Sequence, residues 1–260
     1  MSLNEIIVVV LAGVLVGFIN TLSGGGSVIS LSLLFILGLP ADVANGTNRI
    51  SIFFQTLSSV GSFTRQKMFT DWKPIKLAIP ATLGSVAGAI LAVDVDTRVI
   101  EFAMAGAMVM MTFFLFYQPG RWLKQNPSLL GRPLQGWQYA IFFAVGFYGG
   151  FIQVGVGYLL LMALIPGIGY DLVKANAVKN LVVFFYAIFA LLVFIIDGKV
   201  DYMYGLVLSA GSIIGALVAS WLSVRKGAGF IRAVILFSVL LTLLQISGIV
   251  NFTALLKHLI

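Results

Sequence analysis

Hydrophobic residues occur along the chain in long blocks, and short polar stretches rich in glycine, proline or charge separate the blocks. A helix needs about 20 apolar residues to cross a hydrocarbon core of about 30 Å, which is the length of most of these blocks. The pattern therefore predicts an all-α polytopic membrane protein. Its predicted segments are 4–20, 26–38, 42–65, 74–93, 98–117, 135–152, 156–168, 171–196, 202–223 and 228–248.

Two of the predicted segments, 26–38 and 156–168, are short. Each follows a break that contains glycine, "SGGGS" at 23–27 and "VGVGY" at 154–158. A helix of about 13 residues is only about 20 Å long, so neither segment spans the hydrocarbon core comfortably. We expect broken or re-entrant helices at both places, and hydropathy alone leaves open whether they cross the membrane.

The two halves of the chain resemble each other in order and in residues. "GVLVGFIN" at 13–20 matches "GFYGGFIQ" at 146–153, and "NGTNR" matches "NAVKN" further along. "GSVAGAILA" at 84–92 matches "GSIIGALVA" at 211–219, although small residues at this spacing are also typical of helix-packing faces. Several matches in the same order indicate a duplication.

The charges predict how the two copies are oriented. Lysine and arginine are concentrated after the third segment, between the halves and after the ninth segment, so these stretches are predicted to be cytoplasmic. The third segment then ends inside and the eighth ends outside. We predict one transmembrane domain, 1–260, made of inverted repeats 1–117 and 135–250 joined by a cytoplasmic basic linker, 118–134. Inverted repeats with glycine-interrupted helices are typical of secondary transporters.

Composition excludes several other classes of protein. The chain of 260 residues is 60% hydrophobic and 10% charged, and no stretch of soluble-domain size separates the segments. The net charge of +7 is explained by the loop lysines and arginines, so we predict no nucleic-acid partner. The chain has no cysteine, which excludes disulfides and thiolate chemistry, and we predict no cofactor and no metal.

The glycine breaks are candidate anion sites. Glycine exposes backbone N–H groups, and at the N-terminus of a helix these groups and the helix dipole attract negative charge. A hinge or a tight turn is the alternative interpretation. The candidate residues of the two breaks are Ser23, Gly24, Gly25, Gly26, Ser27, Gly155 and Gly157.

Arg49 and Lys179 lie about two turns into the third and eighth segments. A cation inside a span costs at least about 2.5 kcal/mol, so it should face the protein interior and be paired. The segments contain almost no acidic residue that could pair with these cations. Asp42 and Asp171 lie at the starts of their segments and are predicted to be helix N-caps. An anionic substrate is one possible partner. Lipid headgroups, or backbone carbonyls of the facing break, are the alternatives.

Polar side chains recur at helical spacing beside both cations, which predicts one polar stripe in each half facing a shared cavity. Equivalent positions at the ends of the first and sixth segments carry an amide as well. The further candidate substrate-binding residues are Asn20, Asn45, Asn48, Gln153, Asn176 and Asn180.

The chain contains "GFINTLSGGGS", then "LPADVANGTN", and then a second copy of the same segment order after a basic linker. In these features it resembles the TauE/SafE sulfite exporter family of membrane transporters. The resemblance covers essentially the whole chain. It implies an oxyanion substrate, sulfite or a small organosulfonate, carried across the plasma (inner) membrane. The second copy departs from the pattern at Val154 and Val156, and Lys179 aligns with Asn48, so we expect an asymmetric cavity.

The sequence therefore predicts a secondary transporter that exports a small sulfur oxyanion by alternating access. An anion channel, or a transporter of another small anion, is the alternative. An intramembrane enzyme is disfavoured because the chain's only histidine, His258, is the third-last residue and no paired membrane aspartates occur. The expected partners are the anion and the lipid bilayer, with a homo-oligomer as an option. The exact anion, the coupling ion and the direction stay open.

Overall fold

The computed structural model describes residues 1–70, 72–103, 106 and 126–246. Within these residues the regular structure is entirely helical, which confirms the predicted all-α class. The fifth predicted segment, 98–117, and the linker, 118–134, lie largely outside the described residues. The helices are α1 (Leu3–Leu22), α2 (Ser27–Ile36), α3 (Ala41–Arg65), α4 (Lys73–Asp94), α5 (97–103), α6 (Gly136–Phe151), α7 (Val156–Ile168), α8 (Leu172–Ile196) and α9 (Tyr202–Ile246).

The helices fall into long and short classes. In the described part of the chain, α1, α4, α8 and the stretch Tyr202–Ser238 of α9 are long and apolar enough to cross a membrane. Helices α2 and α7 contain only 10 and 13 residues, as the glycine breaks predict. The two last predicted segments are two helices within the range labelled α9, because the backbone at Gly227 (φ 72°, ψ −166°) is not helical and separates them. Glycine adopts this conformation without a steric cost.

The small-residue motifs pack helices from opposite halves together. A Cβ atom added to Gly84 or Gly88 of α4 would overlap carbonyl groups of α6. In the same way, a Cβ atom on Gly211 or Gly215 of α9 would overlap carbonyl groups of α1. The interpretation of these motifs as helix-packing faces is therefore confirmed. Each motif packs against the first helix of the other half.

The ends of α3 and α8 lie beside each other in opposite directions. At the start of α3, Asp42 forms an ion pair with Lys199 (3.0 Å), which follows the end of α8. At the start of α8, the Lys174 ammonium donates to the Met68 carbonyl and to Thr70 Oγ1, which follow the end of α3. An inverted repeat requires such an antiparallel pair. The repeat as a whole stays a prediction.

The two predicted aspartate caps differ. Asp171 caps α8, because its carboxylate accepts a hydrogen bond from the Lys174 amide (2.9 Å), and this prediction is confirmed. The prediction for Asp42 is wrong. Pro40 precedes α3, and Asp42 lies within its first turn with its carboxylate directed to Lys199. The hydrogen bond from Lys199 to Asp42 raises the pKa of that lysine.

Candidate functional site

The two glycine breaks touch each other in the interior. A Cβ atom on Gly24 would overlap the Gly157 Cα, and a Cβ atom on Gly157 would overlap the Gly24 Cα. Gly24 and Gly155 also have positive φ angles, 89° and 72°, which disfavour other residues. Glycine is therefore needed at this crossing for two separate reasons. The crossing brings the N-termini of α2 and α7 to one place, although they are more than 100 residues apart in sequence.

The first break satisfies most of its own polar groups. The Asn20 side chain accepts a hydrogen bond from the Ser27 amide (3.1 Å), so it caps the start of α2. The Ser23 hydroxyl donates to the Ile19 carbonyl (2.8 Å) and accepts from the Gly25 amide (3.4 Å). Gly26 is packed against the Val16 carbonyl and Asn20. Several N–H groups of the predicted anion site are therefore already hydrogen-bonded within the protein.

Lys179 reaches from α8 to the end of α1. Its ammonium donates to the Asn20 carbonyl (3.1 Å) and to the Thr21 carbonyl (2.9 Å), and the residue is 1% exposed. The last carbonyls of a helix have no partner within the helix and carry the negative end of its dipole. Lys179 therefore binds a partial negative charge that the fold itself provides.

Arg49 makes the same kind of contact in the other direction. From α3 it donates to the Gly149 carbonyl (3.0 Å) and to the Gly150 carbonyl, at the end of α6. It is 1% exposed, and its guanidinium carbon lies 4.6 Å from the centre of the Phe194 ring. Of the alternatives for the two cations, binding to backbone carbonyls is confirmed, and extension towards headgroups is wrong. No carboxylate of the described residues pairs with either cation.

A small cavity lies where the two breaks meet. The centre of a water molecule fits within about 20 Å³ of it, which is room for about one water. Residues of both halves line it, as the polar stripes predicted for a shared cavity. The lining residues are Asn20, Gly24, Ile52, Gln55, Thr56, Gln153, Gly157, Lys179, Asn180 and Val183.

The other predicted residues connect helices around the cavity. Asn45 donates to the Phe151 carbonyl (2.9 Å), and Asn48 accepts from the Ser30 hydroxyl (2.7 Å). Asn176 is fully buried, and neither end of its side-chain amide has a hydrogen-bond partner within the described residues. The predicted residues that are outside the cavity lining are Ser23, Gly25, Gly26, Ser27, Asn45, Asn48, Arg49, Gly155 and Asn176.

Sequence reasoning omitted some residues of the site. Gln55 belongs to the predicted polar stripe of α3 but was not among the candidate binding residues, and Thr56, which also lines the cavity, has no such signal. Tyr186 lies on the stripe of α8 and bonds through its hydroxyl to the Gln153 amide (2.9 Å). Ser238 of α9 donates to Ser23 (3.1 Å), a contact that no local pattern indicates.

Comparisons with known proteins agree with this architecture. The family model described as "Sulfite exporter TauE/SafE" matches residues 9–246. A probable membrane transporter protein of Haemophilus influenzae is 26% identical over 88% of this chain and 90% of its own length.

Other relatives carry similar names. The probable membrane transporter protein YfcA of Escherichia coli K12 is 30% identical over 85% of this chain and 81% of its own length. YjnA of Bacillus subtilis, also a probable membrane transporter protein, is 27% identical over 84% of this chain and 90% of its own. No solved structure matches the chain significantly. Buried broken helices, multiple apolar spans and a match over nearly the whole length lead to one conclusion: this chain is a multi-pass membrane protein of the TauE/SafE family of transporters, not an enzyme.

Proposed function

We propose that the protein is a secondary transporter that exports a small sulfur oxyanion, sulfite or an organosulfonate, across the plasma (inner) membrane. One observation carries the proposal. A buried ammonium, that of Lys179, lines a cavity between two broken helices, and no described lining residue is acidic. Negative charge is what such a surface stabilises, because a buried cation is costly unless it is paired.

Reciprocal contacts between the halves support alternating access. Lys179 donates a hydrogen bond to the end of α1, and Arg49 donates one to the end of α6. Each half therefore binds the helix end that precedes the glycine break of the other half. Movement of one half against the other around a fixed site changes these contacts in pairs. The cavity has room for about one water, so an anion of several atoms enters only when the two halves move apart.

The packing of the two breaks also favours a carrier over a channel. A channel that conducts needs a continuous path with weak sites along it, whereas here the breaks pack directly against each other at Gly24 and Gly157. A carrier exposes its site to one side at a time and therefore saturates and exchanges its substrate.

Flux measurements on the full chain in proteoliposomes test the proposal. We expect saturable sulfite transport, acceleration by unlabelled sulfite on the opposite side, and no large unitary current. Lys179→Ala should abolish the flux, with Lys226→Ala as a matched control because Lys226 lies at the kink of α9, away from the cavity. Normal flux in Lys179→Ala contradicts the site, and large unitary currents contradict the carrier.

A further inference from the structure

A second cavity lies apart from the glycine breaks, at the other end of α6 and α7. The start of α4, the stretch that leads into α6, the first turn of α6 and the end of α7 line it. The centre of a water molecule fits within about 70 Å³ of it, against about 20 Å³ for the cavity at the breaks. Among the described residues, none lines both cavities, so the second cavity has its own chemistry.

Hydrogen bonds between distant segments hold the walls of the second cavity. The Gln138 amide nitrogen of α6 donates to the Gly167 carbonyl at the end of α7 (2.8 Å). The Lys73 ammonium of α4 donates to the Arg132 carbonyl (2.8 Å) and to the Leu130 carbonyl, both of which precede α6. The fold therefore fixes the positions of the segments that enclose the cavity.

Both ionisable side chains among the described residues that line the second cavity are cationic. They are Lys73 and Arg132, and no described lining residue is acidic. In the described part of the chain, the Arg132 guanidinium has no hydrogen-bond or ion-pair partner. A guanidinium offers five N–H donors in a planar fork that matches the geometry of a phosphate group. The second cavity is thus complementary to an oxyanion.

The surroundings of the second cavity are typical of a membrane interface. Trp137 lines the cavity and is 49% exposed, and tryptophan is enriched at the level of the lipid headgroups. From Trp137 an exposed apolar stripe continues along α6 towards the glycine break through Ala140, Ile141 and Ala144. A ligand with a charged group in the cavity and an apolar chain on this stripe contacts both parts, whereas a free ion contacts only the first.

We infer that the second cavity binds the phosphate of an anionic phospholipid, with an acyl chain of the lipid along the exposed stripe of α6. This inference is independent of the proposed function, because it uses none of the residues at the glycine breaks. The stretch before α6 is predicted to face the cytoplasm, and basic pockets between helices on that side recognise anionic headgroups. A zwitterionic lipid carries an ammonium beside its phosphate, which Lys73 and Arg132 repel. The cavity therefore selects an anionic headgroup.

Phosphatidylglycerol and phosphatidylethanolamine with identical acyl chains are a matched pair for the test, because they differ in headgroup charge. Each is titrated into the delipidated full chain in a neutral detergent, at neutral pH and constant ionic strength. Native mass spectrometry counts the bound lipid, and the apparent melting temperature reports the stabilisation that binding gives. We expect phosphatidylglycerol to bind about tenfold more tightly than phosphatidylethanolamine and to raise the melting temperature.

Substitutions of one exposed arginine assign the binding to the second cavity. Arg132→Gln should fold, because Arg132 is exposed, and should weaken phosphatidylglycerol binding by about tenfold through the loss of a charged hydrogen-bond donor. Arg132→Lys keeps the charge without the planar fork and should recover part of the affinity. Arg65→Gln is the control and should bind like the wild type, since Arg65 is exposed at the end of α3 and is outside the cavity lining.

Inorganic phosphate and glycerol phosphate, added at the same ionic strength, identify the source of the anion. If either one displaces phosphatidylglycerol at equal concentration, the ligand is a free phosphate and the inference is overturned. Equal binding of the two lipids, or unchanged binding by Arg132→Gln, overturns it as well. All of these outcomes leave the proposed function in place, because sulfite flux in proteoliposomes tests that function separately.

Discussion

The surroundings of Arg49 and of Lys179 are two versions of one arrangement, and they differ in one respect. Each cation leaves its own half and binds the last carbonyls of the first helix of the other half. Arg49 is enclosed by carbonyls and by the Phe194 ring, whereas Lys179 also lines a cavity. Arg49 only stabilises the packing of the two halves, whereas Lys179 does so and also presents a charge to the cavity.

The largest expected effect concerns the crossing of the two glycine breaks. Gly24→Ala should prevent assembly of the site, because the new Cβ would overlap Gly157 and the φ of 89° is unfavourable for alanine. We expect loss of folded protein, measured as the monodisperse fraction after detergent extraction and as the apparent melting temperature. Gly61→Ala is the control, since its Cβ meets no atom within 4 Å. Equal melting temperatures of both variants would show that the breaks do not need this contact.

The next effect separates the two cations. Arg49→Ala should destabilise the protein by about 1–3 kcal/mol, because buried carbonyls of α6 lose their donor. Arg49→Lys should restore much of the stability and the flux. Lys179→Arg should keep the flux, and Lys179→Ala should lose it even where the protein stays folded. Denaturation midpoints and proteoliposome flux measure the two properties. If Arg49→Lys stops transport while its stability is normal, Arg49 has more than a structural role, which contradicts the distinction drawn between the two cations.

The smallest effect concerns the ends of α3 and α8. Asp42→Asn should lower stability by about 1 kcal/mol or less, because the ion pair with Lys199 is partly exposed, with 26% and 11% of the lysine and aspartate side chains accessible. The reversed pair, Asp42→Lys with Lys199→Asp, should recover part of that loss. Thermal melts at low and high salt check the result. A reversed pair less stable than either single variant would show that the geometry matters more than the charges.

Local sequence predicted much of the fold. The short helices α2 and α7 were predictable because glycine breaks and segment length are both visible in sequence. The break at Gly227 was predictable as well, because charged residues separate the two last apolar segments in the sequence. Asp42 was read as a cap because its partner, Lys199, is distant in sequence.

The site was predictable in part. Lys179 and Asn180 were placed at a shared cavity by helical spacing, and Gln153 by its match to Asn20, and all three line the cavity. Backbone carbonyls were one of the predicted alternatives for the partners of Arg49 and Lys179, but the sequence did not decide between them and an anion, because a backbone carbonyl at a helix end belongs to no residue type. Contacts such as that between Gly24 and Gly157 require the tertiary packing of both halves.

The most direct test of the central claim is the thermal shift that sulfite gives to the full chain in detergent, compared between the wild type and Lys179→Met. A ligand that binds only the folded state raises its apparent stability. We predict a concentration-dependent rise in the wild type and in the control Lys199→Met, and no rise in Lys179→Met. An equal rise in all three proteins would contradict the account, because sulfite would then bind without the ammonium that lines the cavity.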